Sequence, residues 1–113
     1  MPIRPTTQRQ RLVHRALTEL IPRAPLSDFE PIYERATAKR LRSQAPDGAA
    51  FLAATTHIRH RHTDYDDLLA EGYDRESARH FVLDDINDTL TLWGANRFVD
   101  RSADDAGNDP GDA

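Results

Sequence analysis

Two histidines and an aspartate have the spacing in this chain that comes closest to a metal site. His57 and His60 are three residues apart, so on a helix they lie on one face, and an unbroken helix would add Asp64. Two imidazoles and a carboxylate are a suitable ligand set for a divalent metal such as zinc or manganese. The spacing therefore makes His57, His60 and Asp64 a candidate metal site, and a metal-dependent enzyme is one functional hypothesis.

Local sequence argues against this site. Thr63 has the character of a helix start, which would turn Asp64 away, and the other histidines, His14 and His80, are isolated. We therefore favour a solvated or arginine-stacked histidine pair, with no resident cofactor and no catalytic role. His62 falls on the apolar face of the same helix, where we expect it to be partly buried and bonded to a backbone group or a carboxylate.

Other catalytic and cofactor patterns are missing from the sequence. There is no cysteine, which excludes disulfides, thiolate zinc sites and cysteine nucleophiles. No EF-hand pattern, phosphate-binding glycine loop, dinucleotide fingerprint or nucleophile elbow occurs. These absences make an enzyme the less favoured interpretation.

Arginines surround the histidines and suggest an anion-binding face. Residues 1–62 hold eleven basic and five acidic residues, a net charge of +6, whereas residues 63–113 hold four basic and fourteen acidic residues, a net charge of −10. Arginine grips phosphate with two parallel hydrogen bonds. The first functional hypothesis is a small binding module for nucleic acid or another polyanion. Its candidate contact residues are His57, Arg59, His60, Arg61, Arg40 and Arg42.

The same charges have an internal explanation. Arg59 and Arg61 can pair with carboxylates of the acidic half, such as Asp66, Asp67 or Asp84. Residues 100–113 can also cover the basic face and compete with an anionic partner. We favour internal ion pairs slightly over nucleic-acid binding.

The segments that contain these residues are predicted to be helices. Apolar residues recur at helical spacing, no segment alternates as a strand does, and caps and glycines separate the apolar runs. Thr6 or Thr7 and Asp74 are suitable N-caps, Ser27 and Glu30 form a capping-box pattern, and Gly72 and Gly94 follow helix ends. The predicted helices span about residues 7–20, 27–42, 49–62, 63–71 and 74–93.

These elements predict an all-α, single-domain bundle of four or five helices. A flexible lead covers residues 1–5, the helical domain covers residues 6–97, and a disordered acidic tail covers residues 98–113, which is too polar to fold. The predicted core comprises Leu12, Leu17, Leu20, Phe29, Ile32, Phe51, Ile58, Leu68, Leu69, Phe81, Val82, Ile86, Leu90 and Trp93.

Part of the chain resembles a known family. The features that carry the resemblance are the run HIRHRHTDYDDLLAEGYDRESAR, residues 57–79, and a following helix that ends in Leu92 and Trp93. From Ala54 to Trp93 the chain is similar to domain-of-unknown-function family 2293. The resemblance implies a domain that includes residues 57–79, but it implies no activity, and we transfer no site residue from it.

Self-association is a further hypothesis. Leu83 and Leu92 lie off the main apolar stripe of the last predicted helix and are candidates for a homodimer contact. No apolar stretch is long enough for a membrane span, and the N-terminus has no apolar segment typical of a secretory signal. We therefore expect a cytoplasmic protein with no membrane partner.

Overall fold

Caps and turn residues divide the chain into five α-helices in the computed structural model, which describes residues 3–100. The helices are α1 (Gln8–Leu20), α2 (Leu26–Ala36), α3 (Pro46–Arg61), α4 (Tyr65–Ala70) and α5 (Arg75–Leu92), with a short 3-10 turn at Lys39–Leu41. No strand occurs in this range. The predicted all-α bundle is confirmed.

Four of the predicted helix boundaries are confirmed by their chemistry. Thr7 caps α1 in a capping box, since its hydroxyl accepts from the Gln10 N–H at 3.0 Å and the Gln10 side chain accepts from the Thr7 N–H at 3.1 Å. The Asp74 carboxylate accepts from the Ser77 N–H at 2.8 Å and caps α5. Gly72 and Gly94 follow α4 and α5 with φ of 103° and 88°, which is left-handed backbone that favours glycine.

The predicted boundaries of α2 are wrong at both ends. Its N-cap is Pro25, whose extended backbone starts the helix before Ser27, and no side chain caps it. The helix ends at Ala36, where the Thr37 hydroxyl donates back to the Tyr33 carbonyl at 2.9 Å, and the basic residues that follow belong to the 3-10 turn. Helix α3 begins at Pro46, three residues before the predicted start at residue 49, because proline is acceptable in the first turn of a helix.

The core forms around α3, which packs against α1, α2, α4 and α5. Small residues allow these close approaches, since Ala49, Ala50, Ala53 and Ala54 of α3 are all buried. Two predicted core residues, Leu12 and Phe81, are exposed, and Leu83, predicted to be a surface residue, is buried, whereas Leu92 is exposed as predicted. The centres of the stripes were therefore predicted correctly, since Leu17, Val82 and Leu90 are buried, and the errors fall at the stripe edges on α1 and α5.

The chain after α5 folds back on the bundle. The Asn87 side-chain amide donates to the Val99 carbonyl at 3.1 Å and accepts from the Val99 N–H at 2.8 Å. The Arg97 guanidinium lies 3.9 Å from the centre of the Phe51 ring. Residues 98–100, which we assigned to the acidic tail, thus include an anchored position, and the rest of the predicted tail lies outside the described residues. No helix of the described range is long and apolar enough to cross a membrane.

Candidate metal centre

The end of α3 and the start of α2 bring together a cluster of ionisable side chains. His57 lies on the last turns of α3, and His62 is the residue that caps its C-terminal end. Asp28 lies in the first turn of α2, which packs against α3. We call Asp28, His57 and His62 the His–Asp cluster.

Both imidazoles of the His–Asp cluster contact the same carboxylate oxygen. The Nε2 atoms of His57 and His62 lie 2.8 Å and 2.7 Å from the same Asp28 Oδ1. The centres of the two imidazole rings are 5.9 Å apart. One potential ligand atom from each of the three residues lies within 4.8 Å of the others. In the part of the chain that the structure describes, no other three His, Cys, Asp or Glu residues converge in this way.

The His–Asp cluster is buried at one end and open to solvent at the other. His57 is 7% exposed and Asp28 is 14% exposed, whereas His62 is 37% exposed. The Trp93 indole and the His62 ring make a T-shaped contact with centroids 5.5 Å apart, and Trp93 itself is buried. A ligand can therefore reach the cluster from the His62 side.

The protonation states of His57 and Asp28 suit a cation. Burial lowers the pKa of His57 below its ordinary value of 6.5, and this effect outweighs the hydrogen bond to Asp28. Burial by itself raises the pKa of Asp28, but hydrogen bonds from His62 and His57 outweigh it and hold that pKa below 3.8. A neutral His57 imidazole and an ionised carboxylate at neutral pH are the forms that bind metal ions.

The position of the cluster on α3 also favours positive charge. His57 and His62 lie at the C-terminal end of this helix, where its dipole leaves a partial negative charge.

The His–Asp cluster has two chemical capabilities. Without a metal, both imidazoles donate to one carboxylate and tie α2 to α3. With a metal, the same three atoms become its ligands.

The structure does not bring the predicted ligand set together. His60 turns to Asp66, whose Oδ1 lies 2.7 Å from His60 Nδ1, and Asp64 is the N-cap residue of α4. The reason is the break between helices that we expected at Thr63, because α3 stops at Arg61 and α4 begins at Tyr65, although the N-cap of α4 is Asp64 and not Thr63 as predicted. His57 of the predicted set is retained, but its partners are Asp28 and His62. The expectation that His62 bonds to a carboxylate is confirmed.

The predicted anion-binding face is divided by the fold. Arg59 is buried, its guanidinium lies 5.5 Å from the centre of the Tyr65 ring, and the Thr63 hydroxyl donates to its backbone carbonyl. Arg59 and the buried His57 are therefore not surface contacts, which corrects that part of the prediction. His60 is partly exposed and bonded to Asp66. Arg40, Arg42 and Arg61 are exposed.

Asp28 is the residue that sequence reasoning missed. It precedes His57 by 29 residues and has the ordinary pattern of an acid in the first turn of a helix. Nothing local links it to the histidines. Only the packing of α2 against α3 places it beneath them.

Comparison with known proteins gives one match. A family model described as "Uncharacterized conserved protein (DUF2293)" matches residues 16–94. No curated protein and no solved structure matches the chain. The matched range includes all three residues of the His–Asp cluster, as well as Trp93.

Proposed function

Because the chain belongs to this family of uncharacterised conserved proteins, its function must be argued from its own side chains, and we propose that it is a metal-binding domain. Asp28, His57 and His62 hold a divalent transition-metal ion. The single observation that carries the proposal is the convergence of two imidazole nitrogens on one carboxylate oxygen. The resulting centre has two nitrogen ligands and one oxygen ligand.

The geometry needs only a small adjustment to accept the ion. Metal–ligand bonds of about 2.0–2.2 Å at tetrahedral angles place ligand atoms roughly 3.3–3.6 Å apart. The Nε2–Oδ1 distances of 2.7 Å and 2.8 Å are shorter. Each imidazole must therefore withdraw by about half an ångström or more. His62 lies beyond the end of α3 and is the more exposed of the two, so it has more freedom to withdraw than the buried His57.

The donor set indicates which ions fit. Imidazole nitrogen suits zinc, cobalt, nickel, copper and iron, whereas magnesium and calcium prefer sites made of oxygen ligands. Three protein ligands leave at least one position for water or a substrate, which is typical of catalytic rather than structural zinc sites. Exposure of His62 gives that position access to solvent.

A metal titration tests the proposal directly. Chelator-treated full-length protein is titrated with Co²⁺, whose visible absorption reports tetrahedral coordination, and with Zn²⁺ by calorimetry. We expect one ion per chain, with affinity falling about 100-fold or more when a ligand is removed in His57→Ala or His62→Ala. The matched control is His60→Ala, which removes a neighbouring histidine on the same helix end and leaves the affinity unchanged.

Two results would overturn the proposal. One is wild-type protein that binds no Co²⁺ while circular dichroism shows it to be folded. The other is His57→Ala or His62→Ala binding as tightly as His60→Ala. Where His57→Ala does not fold, the exposed His62→Ala and the isosteric Asp28→Asn still decide the question.

Anion binding is a second candidate function, with fewer contact residues than the sequence predicted. It is supported by the exposure of Arg40, Arg42 and Arg61, the three arginines of the predicted face that lie at the surface. It predicts weak binding of single-stranded or duplex nucleic acid that falls steeply with salt. Fluorescence anisotropy at two salt concentrations tests it, with Arg61→Gln as the variant, and unchanged binding in that variant would argue against it.

Self-association is a third candidate. Leu92 is the most exposed of the large apolar side chains in the described range. A homodimer through the end of α5 predicts twice the chain mass in light scattering and a monomer in Leu92→Asp. A wild-type monomer at high protein concentration would remove this candidate.

A further inference from the structure

A cavity separate from the His–Asp cluster lies between α1 and the start of α3. Its volume is about 320 Å³. That is the lower end of the range of roughly 300–1,000 Å³ that is usual for ligand sites, so it suits a small molecule. Ala16 and Leu20 of α1 and Ala50 of α3 form apolar parts of its wall. The segment that returns after α5 completes the wall with Asn96 and Arg97.

Two carboxylates line this cavity and have no partner in the described range. Glu19 comes from α1 and Asp47 from the first turn of α3. No hydrogen bond or ion pair joins either side chain to a residue between 3 and 100, and Asp47 does not cap α3. Both residues also line a second cavity of about 240 Å³, whose other lining residues include Leu12 and Arg15. The two carboxylates thus lie where the cavities meet, and their oxygens can accept from a cationic group.

A guanidinium lines the larger cavity without pairing with these carboxylates. No ion pair joins Arg97 to Glu19 or Asp47. The guanidinium lies instead 3.9 Å from the centre of the Phe51 ring. Arginine stacks on an aromatic ring without using its N–H groups, so these donors remain for a ligand. The cavity therefore contains two anionic groups and one cationic group that do not neutralise each other through a direct contact.

These charges select the class of ligand. A simple alkylamine would satisfy the carboxylates but would bring a positive charge close to Arg97. A simple carboxylic acid would satisfy Arg97 but would bring a negative charge close to Glu19 and Asp47. A molecule with an ammonium group at one end and a carboxylate at the other satisfies both sides. Methylene groups between its two ends suit the apolar wall of the cavity.

We infer that this cavity binds a small zwitterion whose ammonium and carboxylate groups are separated by methylene groups, as they are in lysine. The ammonium group donates to Glu19 and Asp47, and the carboxylate accepts from Arg97. This site is independent of the metal centre, because none of its lining residues belongs to the His–Asp cluster.

The test titrates metal-free, full-length protein with ε-aminocaproate, which is lysine without its α-amino group, and follows the backbone amides by NMR. We expect saturable shifts at Ala16, Leu20 and Ala50, with a dissociation constant of about 1 mM or lower. Hexylamine lacks the carboxylate and caproate lacks the ammonium group. Each of these two probes should bind at least about tenfold more weakly.

Exposed side chains provide the variants. Glu19→Gln and Arg97→Gln each lower the affinity for ε-aminocaproate about tenfold or more, since each removes one charged contact. Arg97→Gln does not weaken the binding of hexylamine, because that probe has no carboxylate. The matched control is Glu34→Gln, which removes an exposed glutamate of α2 outside the cavity and leaves the affinity for all three probes unchanged.

Three results would overturn the inference, and none of them bears on metal binding. The first is wild-type protein that shows no saturable shift with ε-aminocaproate. The second is hexylamine or caproate binding as tightly as ε-aminocaproate. The third is wild-type affinity in Glu19→Gln or in Arg97→Gln. Glu19 is exposed and bonded to no described residue, so its variant decides the question even where Arg97→Gln loosens the returning segment.

Discussion

Asp28 Oδ1 receives hydrogen bonds from two imidazoles, and this atom links the residues of the site. The sequence marks the histidines, because several imidazoles within six residues are uncommon, and of the two partners it allows for His62, a backbone group or a carboxylate, the structure shows the carboxylate. It does not identify Asp28, because a first-turn aspartate has a sufficient local explanation in the helix dipole. At the scale of residues, one of the three proposed ligands, His57, could thus be predicted as a ligand, and its partners depend on tertiary packing.

The central role of Asp28 leads to a stability prediction for the metal-free protein. Asp28→Ala removes the acceptor of two imidazoles and leaves the His57 N–H buried without its bond, which costs about 1–3 kcal/mol. Asp66→Ala removes the equivalent partner of His60, but Asp66 is 60% exposed, so this loss is below about 1 kcal/mol. Urea denaturation in the presence of a chelator measures both, and equal losses would contradict the structural importance of Asp28.

At the scale of elements, local chemistry explains where most helices begin and end. Thr7, Asp74, Gly72 and Gly94 act as their residue types predict, because a cap uses atoms within four residues of itself. The predicted N-cap at Ser27 was wrong, and the cause is again local: the extended backbone of Pro25 starts α2 before Ser27 without any side-chain cap. Which side of a helix is buried depends on tertiary packing and not only on nearby residues. The predicted burial of Leu12 and Phe81 and the predicted exposure of Leu83 were therefore wrong.

The two glycines with positive φ have different surroundings, which predicts different costs of substitution. A Cβ at Gly94 would lie 3.0 Å from Pro22 Cγ and 3.2 Å from Arg23 Nη1, whereas a Cβ at Gly72 meets nothing within 4 Å. Gly72→Ala therefore costs only the left-handed backbone strain, about 1–2 kcal/mol, and Gly94→Ala costs more than that. Thermal denaturation of the two variants checks the order, and a smaller loss in Gly94→Ala would be inconsistent with this packing.

The N-cap of α5 gives a prediction for pH. Hydrogen bonds from the backbone and side chain of Ser77 hold the pKa of Asp74 below its ordinary value of 3.8. Because the folded-state pKa is lowered, the stabilisation is complete above about pH 4 and is lost as the pH falls through the folded-state pKa. Asp74→Ala should thus lower the melting temperature at pH 7, and the difference from wild type should shrink near pH 2. A difference that is the same at both pH values would exclude the ionised cap.

At the scale of the whole molecule, α3 is the element on which the others pack. The charge split of the sequence suggested one basic face, but packing on α3 buries Arg59 beside Tyr65 and leaves Arg61 outside. Composition and periodicity are enough to predict an all-α bundle, because they report which segments are helical. They do not report which arginines are buried, since that depends on how α3 and α4 pack. The arginines that are exposed could therefore not be identified from the charge distribution of the sequence alone.

The returning C-terminal segment gives a prediction at this scale. Asn87 holds the backbone of Val99 through two hydrogen bonds, so Asn87→Ala should release residues 95–100 at a cost of about 1–2 kcal/mol. Hydrogen exchange should then increase at Val99 while amides of α3 near His57 keep their protection. Thr91→Ala, on an exposed position of the same helix, is the control. Unchanged exchange at Val99 would mean that Asn87 does not anchor the segment.

The most direct test of the metal centre uses the only tryptophan of the chain, Trp93, whose ring centre lies 5.5 Å from that of His62. Co²⁺ bound to His62 lies close enough to quench the indole fluorescence. We predict quenching that reaches a plateau at one Co²⁺ per chain, is reversed by chelator and is retained in His60→Ala but lost in His57→Ala and His62→Ala. Absence of quenching at one equivalent, or equal quenching in all three variants, would contradict a metal centre at Asp28, His57 and His62.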